Sequence, residues 1–265
     1  MDPVALGLVL LSAFFSAAWN RVLHVAFDRV AVMGVSGVMI GLMLLPWTLA
    51  SPPWAVIGLI VLSAAAEVAY SLTLSAAYAR GALSLTYPLG RGAAPLLASL
   101  LGWIALGERP QGAALAGALM LGLGIALLSH AGWSSGRGSA VAFALLAGLA
   151  IAAYTVIDAR AVRQVAPAAY LGPVLGLQGL AICAGMRWTG ARLRASLRPS
   201  LIVAVSSVIA YLLILLAFRR TEVGRVATLR EIAVLIGILM SGERPGAWIW
   251  AGAALCVAGA VLAAR

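Results

Sequence analysis

Four charged residues stand in the middle of long apolar runs: Glu67, Arg91, Arg230 and Glu231. Arginine in such a place is suited to binding a carboxylate or phosphonate. Its planar fork donates two parallel hydrogen bonds, and it stays charged. Glutamate can balance that charge or carry a proton, because burial raises a carboxylate's pKa. Tyrosines accompany both arginines. Arg91 lies eleven residues after Arg80 and Tyr70 ten before it. At 1.5 Å per residue, Arg91 sits about 16 Å along its helix, level with Tyr70. Arg230 and Tyr211 bracket Arg220 in the same way, about 15 Å down. Each pair predicts a guanidinium and a phenol near the middle of a hydrocarbon layer about 30 Å thick. Glu67, close to one turn deeper than Tyr70, Tyr87, one turn before Arg91, and Glu231 complete the core of an anion site. The structural alternative is that Glu67–Arg91 and Arg230–Glu231 are ion pairs holding helices together. Neighbouring helical positions point about 100° apart, so Arg230 and Glu231 cannot face one partner squarely. Charges at this depth default to function.

Other polar groups fall near the ends of two apolar segments: Trp19 and Asn20 in the first, Tyr154, Thr155 and Asp158 in the sixth. Trp19, Asn20 and Tyr154 join the expected substrate site, with a purely structural role equally open for Asn20, as a hydrogen bond between helices, and for Tyr154. Thr155 is read as a hydrogen bond between helices, and Asp158 receives no role. Pro88, Gly90, Gly92 and Pro95 surround Arg91. They suit either a loosened helix beside a cavity or a simple kink. Glu108-Arg109 and Glu243-Arg244 are read as turn-fixing groups, and the small-residue runs 117–124 and 246–259 as close helix packing. The sequence holds no HExxH, GxSxG or GxxxxGK[ST] pattern, and its two histidines, His24 and His130, lie far apart. Neither an enzyme nor a bound metal or cofactor is expected.

The elements that must position these residues follow from composition. The chain has 265 residues, of which 63% are hydrophobic and 10% charged, with mean hydropathy +1.06. A soluble domain carries about 25% charged residues, and a disordered chain needs low hydrophobicity. What remains is an all-α membrane protein. Punctuation by charges, Pro-Pro and Gly/Ser clusters predicts ten transmembrane helices, at 4–24, 30–49, 54–79, 82–106, 111–130, 139–158, 167–187, 200–218, 223–241 and 246–264. A loop is expected at 189–199. The N-terminus lacks a basic region and a cleavage site, so a retained first helix is expected. Cys183 and Cys256 lie in apolar runs and predict neither a disulfide framework nor a metal site. Net charge is +10, and all 18 basic residues are arginine. They scatter over many turns, which argues for membrane anchoring and against nucleic acid. Trp47, Trp54, Trp103, Trp133, Trp188 and Trp248 fall near predicted helix ends, as an aromatic belt requires.

An internal repeat orders these helices. Gly107-Glu108-Arg109-Pro110 recurs as Gly242-Glu243-Arg244-Pro245, and Ala77-Tyr78-Ala79-Arg80 resembles Ala217-Phe218-Arg219-Arg220. Two units are expected, 1–132 and 133–265, with five helices each. An odd number per unit inverts the second against the first, a recurring plan in secondary transporters with the site between the repeats. With the N-terminus inside, seven arginines fall inside and nine outside, so charge bias leaves orientation open.

The order and spacing of these motifs resemble the drug/metabolite transporter superfamily, in a protein with two EamA-type repeats. The resemblance is carried by Tyr78-x-Arg80-Gly81-x-Leu83-Ser84-x-x-Tyr87-Pro88-x-x-Arg91-Gly92-x-x-Pro95, closing with Leu106-Gly107-Glu108-Arg109. Leu229-Arg230-Glu231 leading to Gly242-Glu243-Arg244, Trp19-Asn20, and Ala153-Tyr154-Thr155-x-x-Asp158 match its other recurring positions. The resemblance implies ten helices, cytoplasmic termini, and secondary transport of small metabolites such as amino acids by alternating access. The expected protein is then a secondary transporter, in the exporting direction, of an anionic or zwitterionic metabolite: an amino acid, organic acid or phosphonate. Its expected partners are that small molecule, the lipid bilayer and protons as a coupling ion; oligomeric state is left open. The absence of lysine and richness in Ala, Gly and Arg fit a GC-rich bacterial genome, hence an inner (cytoplasmic) membrane. The alternatives are a carrier of a cationic or apolar compound coupled through Glu67, and a lipid-handling protein with structural charges.

Overall fold

The computed structural model describes residues 3–106, 113–220, 226, 236, 238–240, 242 and 246–263. The described residues form helices α1 (Pro3–Val25), α2 (Arg29–Ala50), α3 (Ile57–Arg80), α4 (Leu83–Leu106), α5 (Ala113–Ser134), α6 (Gly138–Ala161), α7 (Pro167–Ala184), α8 (Gly190–Phe218) and α9 (Ala247–Ala263). A 3₁₀ turn at Trp54–Val56 leads into α3. Six of these helices, α1–α3 and α6–α8, are long and apolar enough to cross a membrane, and shorter apolar stretches lie in α5 and α9. The helix expected at 223–241 falls mostly outside the described residues, as do Arg230, Glu231, Glu108, Arg109, Glu243 and Arg244.

The segment at 189–199, expected as a loop, is helix. Thr189 caps it, its Oγ1 accepting from the backbone N–H of Arg192 at 3.1 Å. The run Ala191–Arg198 is made mostly of good helix formers. Pro199 sits inside α8 without ending it. α6 runs three residues beyond its expected end, to Ala161, so Asp158 lies within the helix rather than at its edge.

Polarity is turned inward. Leu42, Leu49, Leu62, Leu119 and Leu123 are exposed on the outside of the bundle, whereas Ser12, Ser16, Ser36, Ser63, Glu67, Arg91, Asp158 and Gln178 are buried. Trp47, Trp54, Trp133 and Trp248 project from helix ends and are largely exposed, as belt residues should be. The buried serines serve the bundle. Ser12 Oγ donates to the Ala210 carbonyl at 2.8 Å and Ser200 Oγ to the Val32 carbonyl at 3.2 Å, tying α8 to α1 and α2.

Helices approach to backbone contact where glycine permits. α2 crosses α7 at Gly34, Gly37 and Gly41 against Gly176 and Gly179. A Cβ on Gly179 would stand 2.4 Å from the Val38 nitrogen and 2.6 Å from the Gly34 carbonyl. α5 and α9 pack equally closely through Gly117, Gly124, Gly252 and Gly259, as the small-residue runs predict. α1 also packs on α8, α3 on α6 and α4 on α6.

Outside the bundle, Asp28 and Arg192 form an ion pair at 2.5 Å. Asp28 also caps α2 by accepting from Ala31 N–H at 3.0 Å. Partial burial pushes the Asp28 carboxyl up. The hydrogen bonds from Arg192 and Ala31, with the Arg192 charge, outweigh that and hold it below its ordinary 3.8.

Two outcomes follow for thermal denaturation in detergent. Gly179→Val forces α2 and α7 apart and costs about 1–3 kcal/mol. Gly58→Ala, with nothing within 4 Å of its added Cβ, is neutral or stabilising by up to about 1 kcal/mol. Equal Tm losses in the two variants would show that the crossing is not the constraint. The second outcome concerns pH. A depressed carboxyl stabilises above its unfolded value and loses that contribution as pH falls through its folded one. Arg192→Ala therefore lowers Tm at neutral pH, by about 1 kcal/mol or less. The gap from wild type closes as the solution is acidified below 3.8; a gap that widened there would reverse the assignment.

Candidate functional site

α4 carries Arg91 into the interior because its neighbours on that helix are small. The added Cβ of Gly148 on α6 would meet the Gly90 carbonyl at 2.7 Å and the Ala93 Cβ at 2.9 Å. α4 is therefore pressed against α6 at the arginine's level, and it runs as continuous helix through Pro88.

Arg91 opens onto a cavity between α1, α2, α3, α4, α6, α7 and α8. Its charged walls are Arg91 and Glu67, and its aromatic walls are Trp19, Tyr70, Tyr154 and Tyr211. Ser16, Ser36, Ser207 and Gln178 add neutral polar groups, and Met33, Ile40, Leu175 and Val203 apolar ones. The three tyrosines stack edge to face, Tyr70 on Tyr154 at 5.7 Å and Tyr154 on Tyr211 at 5.8 Å between ring centroids. Such pairs hold the rings against one another, so α3, α6 and α8 present one continuous aromatic wall. Gln178 is oriented by donating from Nε2 to Ser71 Oγ at 3.1 Å.

Six of the expected site residues thus meet at one cavity: Trp19, Glu67, Tyr70, Arg91, Tyr154 and Tyr211. Two others do not line it. Tyr87 is buried beside it, its ring centroid 5.9 Å from the Arg91 guanidinium carbon. Asn20 is spent within the bundle: its Nδ2 donates to the Ser16 carbonyl at 2.8 Å, and its Oδ1 accepts from Tyr78 at 2.6 Å. Of its two expected roles, the structure shows the hydrogen bond between helices. Arg230 and Glu231 lie outside the described residues.

Sequence reasoning left one residue without a role. Asp158 is fully buried on α6. Its Oδ1 accepts from Ser63 of α3 at 2.5 Å and from Tyr170 of α7 at 2.6 Å, and its Oδ2 accepts a short bond from Tyr211 of α8. Four helices are joined at one carboxylate. Its signal in the sequence was the charge itself. The expected helix end at 158 left that charge at the edge of its segment, whereas α6 continues to Ala161. Gln178, the site's amide, was missed for lack of any pattern around it.

Fold and cavity together define a polytopic helical membrane protein with an internal polar chamber. Residues 138–265, just under half of the chain, match the EamA-like transporter family, a similarity that points to a membrane transporter. A solved crystal structure, described only as that of a protein, matches 98% of this chain and 94% of its own at 20% identity, with a TM-score of 0.62. It shows a shared fold along nearly the whole length. No curated protein matches the chain.

Asn20→Ala removes the acceptor of the buried Tyr78 hydroxyl, which costs about 1–3 kcal/mol. Detergent Tm is expected to fall accordingly, while ligand-induced stabilisation of the remaining folded protein is unchanged. Loss of ligand response at unaltered Tm would return Asn20 to the binding site.

Proposed function

We propose that the chain is a secondary transporter of a small zwitterionic or anionic metabolite, bound in the Arg91 cavity between two inverted repeats. The observation that carries the reading is the placement of Arg91 and Glu67 on the walls of one cavity. A guanidinium offers a bidentate seat for a carboxylate or phosphonate. A carboxylate across the same chamber offers a seat for an amine, and tyrosine faces favour the same cation. An amino acid or similar zwitterion uses both; an organic acid or phosphonate uses the arginine alone.

Helix contacts support the two-repeat plan. If α1–α5 and α6 onward are equivalent units, the first helix of each packs on the third of the other: α1 on α8, α6 on α3. The second helices meet each other, α2 on α7, as do the fifth and the last described, α5 on α9. A two-fold axis between the units produces this reciprocity. The family match also begins at 138, close to the expected boundary at 133. A chamber at the axis, reached from either side by rocking one unit on the other, is the arrangement used for alternating access. The transport direction is taken as export, across a bacterial inner membrane with both termini cytoplasmic, on family resemblance.

The cationic alternative rests on Glu67, which lines the same chamber. The lipid-handling alternative expects no polar chamber, and the cavity weighs against it.

A thermal-shift screen of the detergent-purified protein separates these readings. A ligand that binds the folded state raises Tm as its concentration exceeds its Kd. Amino acids, organic acids or phosphonates should raise Tm in the wild type, and Arg91→Ala should erase that shift while remaining folded. Stabilisation by simple amines that survives Arg91→Ala and disappears in Glu67→Gln would replace the anionic assignment with the cationic one.

A further inference from the structure

Residues 190–199, expected as loop, are the first part of α8, and this fixes where their arginines stand. α8 has 29 residues and is about 43 Å long. A hydrocarbon layer is about 30 Å thick, so part of the helix reaches into the headgroup region. Two contacts with α2 and the turn before it show that this part is its start. Arg192 pairs with Asp28 in the α1–α2 turn. Two turns further along α8, Ser200 Oγ donates to the Val32 carbonyl in the first turn of α2. Arg194 and Arg198 lie between those contacts and are therefore level with the first turn of α2. Trp188, an interfacial residue type, has its ring 5.8 Å from the Arg192 guanidinium carbon and marks the same level.

The two faces of this segment differ. Arg192, Ser196 and Ser200 recur every four residues and turn toward the bundle: the first holds Asp28, and both serines are buried. Arg194 and Arg198, one turn apart, fall on the opposite face and are exposed. That face continues along the helix as Leu201, Ile202 and Val205, also exposed, which in a membrane meet acyl chains. The arginine pair thus caps a lipid-facing stripe. It has no counter-charge among the described residues. Their acidic side chains are Asp28, Glu67 and Asp158. Asp28 is taken by Arg192, and the other two are buried inside the bundle.

We propose that Arg194 and Arg198 bind the headgroup phosphate of an anionic phospholipid whose acyl chains lie along Leu201, Ile202 and Val205. Residues four apart on a helix have Cβ atoms about 5–6 Å from each other, so both guanidinium forks reach one phosphate, and each donates to it as a charge-assisted pair. The preference for an anionic lipid follows from charge. In a zwitterionic lipid the choline group offsets the phosphate, whereas an anionic lipid brings a net negative charge to the two arginines. Basic clusters at a membrane face select anionic lipid in this way. A lipid fits better than a soluble anion because the apolar stripe that continues from the pair gives acyl chains a surface that free phosphate leaves unused. The proposal needs only a chain that spans the membrane, so it stands or falls apart from the ligand of the Arg91 chamber.

The experiment is native mass spectrometry of the full-length protein released from detergent, titrated with phosphatidylglycerol or with phosphatidylcholine of the same chains. Wild type is expected to bind its first phosphatidylglycerol more tightly than its first phosphatidylcholine. Arg194→Gln and Arg198→Gln should each weaken phosphatidylglycerol binding about fivefold, and the double variant should bring the two lipids level. Both side chains are exposed and glutamine is a good helix former, so the fold is kept, which an unchanged detergent Tm verifies. Arg160→Gln removes an exposed arginine at the α6–α7 end, where α7 starts beside the end of α2, and should leave the preference as it was. Equal binding of the two lipids by wild type, or an undiminished preference in the double variant, overturns the proposal. An equal loss in Arg160→Gln does so too, since the effect would then be one of net charge. In wild type the preference should shrink as ammonium acetate is raised; a constant preference overturns the assignment even where a variant does not fold. Inorganic phosphate at the concentration of the lipid should leave phosphatidylglycerol bound, and displacement would make the site one for a free anion and overturn the lipid assignment.

Discussion

Lipid supplies neither hydrogen bonds nor counter-charge, so every polar group at membrane depth must be satisfied inside the protein. This constraint arranges the whole bundle. Leucines cover the outside, and serines, Gln178, Glu67, Arg91 and Asp158 turn inward. A soluble domain places these classes the other way round. With the polar groups confined to the interior, they either tie helices together or line a shared space. Asn20, Ser12 and Ser200 do the first. Arg91, Glu67 and Gln178 do the second.

Glycine makes the arrangement possible. A membrane bundle gains little from burying apolar surface, since its surroundings are already apolar, and depends on close packing instead. Where α2 meets α7, α5 meets α9 and α4 meets α6, backbones touch backbones. Those crossings leave the larger side chains free to surround the chamber. The tyrosine ladder and the Asp158 node then define its side nearer the α6–α7 turn, with Tyr211 as a member of both.

The node and the chamber share a wall. Asp158 joins α3, α6, α7 and α8 through the hydroxyls of Ser63, Tyr170 and Tyr211. Arg91 is held on α4 with its guanidinium over the Tyr87 ring. Tyr211 reaches from the node to the chamber that Arg91 lines.

Much of the membrane class, the helix order and the Arg91–Tyr70–Tyr211 grouping could be read from the chain alone. Hydropathy and helical rise are local properties: a run of apolar residues must be helical in lipid, and two residues equally far from one turn must lie at equal depth. The close-packed glycine runs were visible for the same reason. The partners of individual polar groups were not. Asn20 and Gln178 are both amides in apolar helices, and nothing local distinguishes the one bonded to Tyr78 from the one on the chamber wall. Asp158 was hidden by a helix boundary misplaced by three residues, and the helical start of α8 by arginines and a proline that read as loop. Spacing along a helix fixes depth and face. Which neighbour occupies that face is decided by how helices far apart in the chain pack, because a hydrogen bond such as Tyr211 to Asp158 depends on a rotation and a separation that the sequence of neither helix encodes by itself.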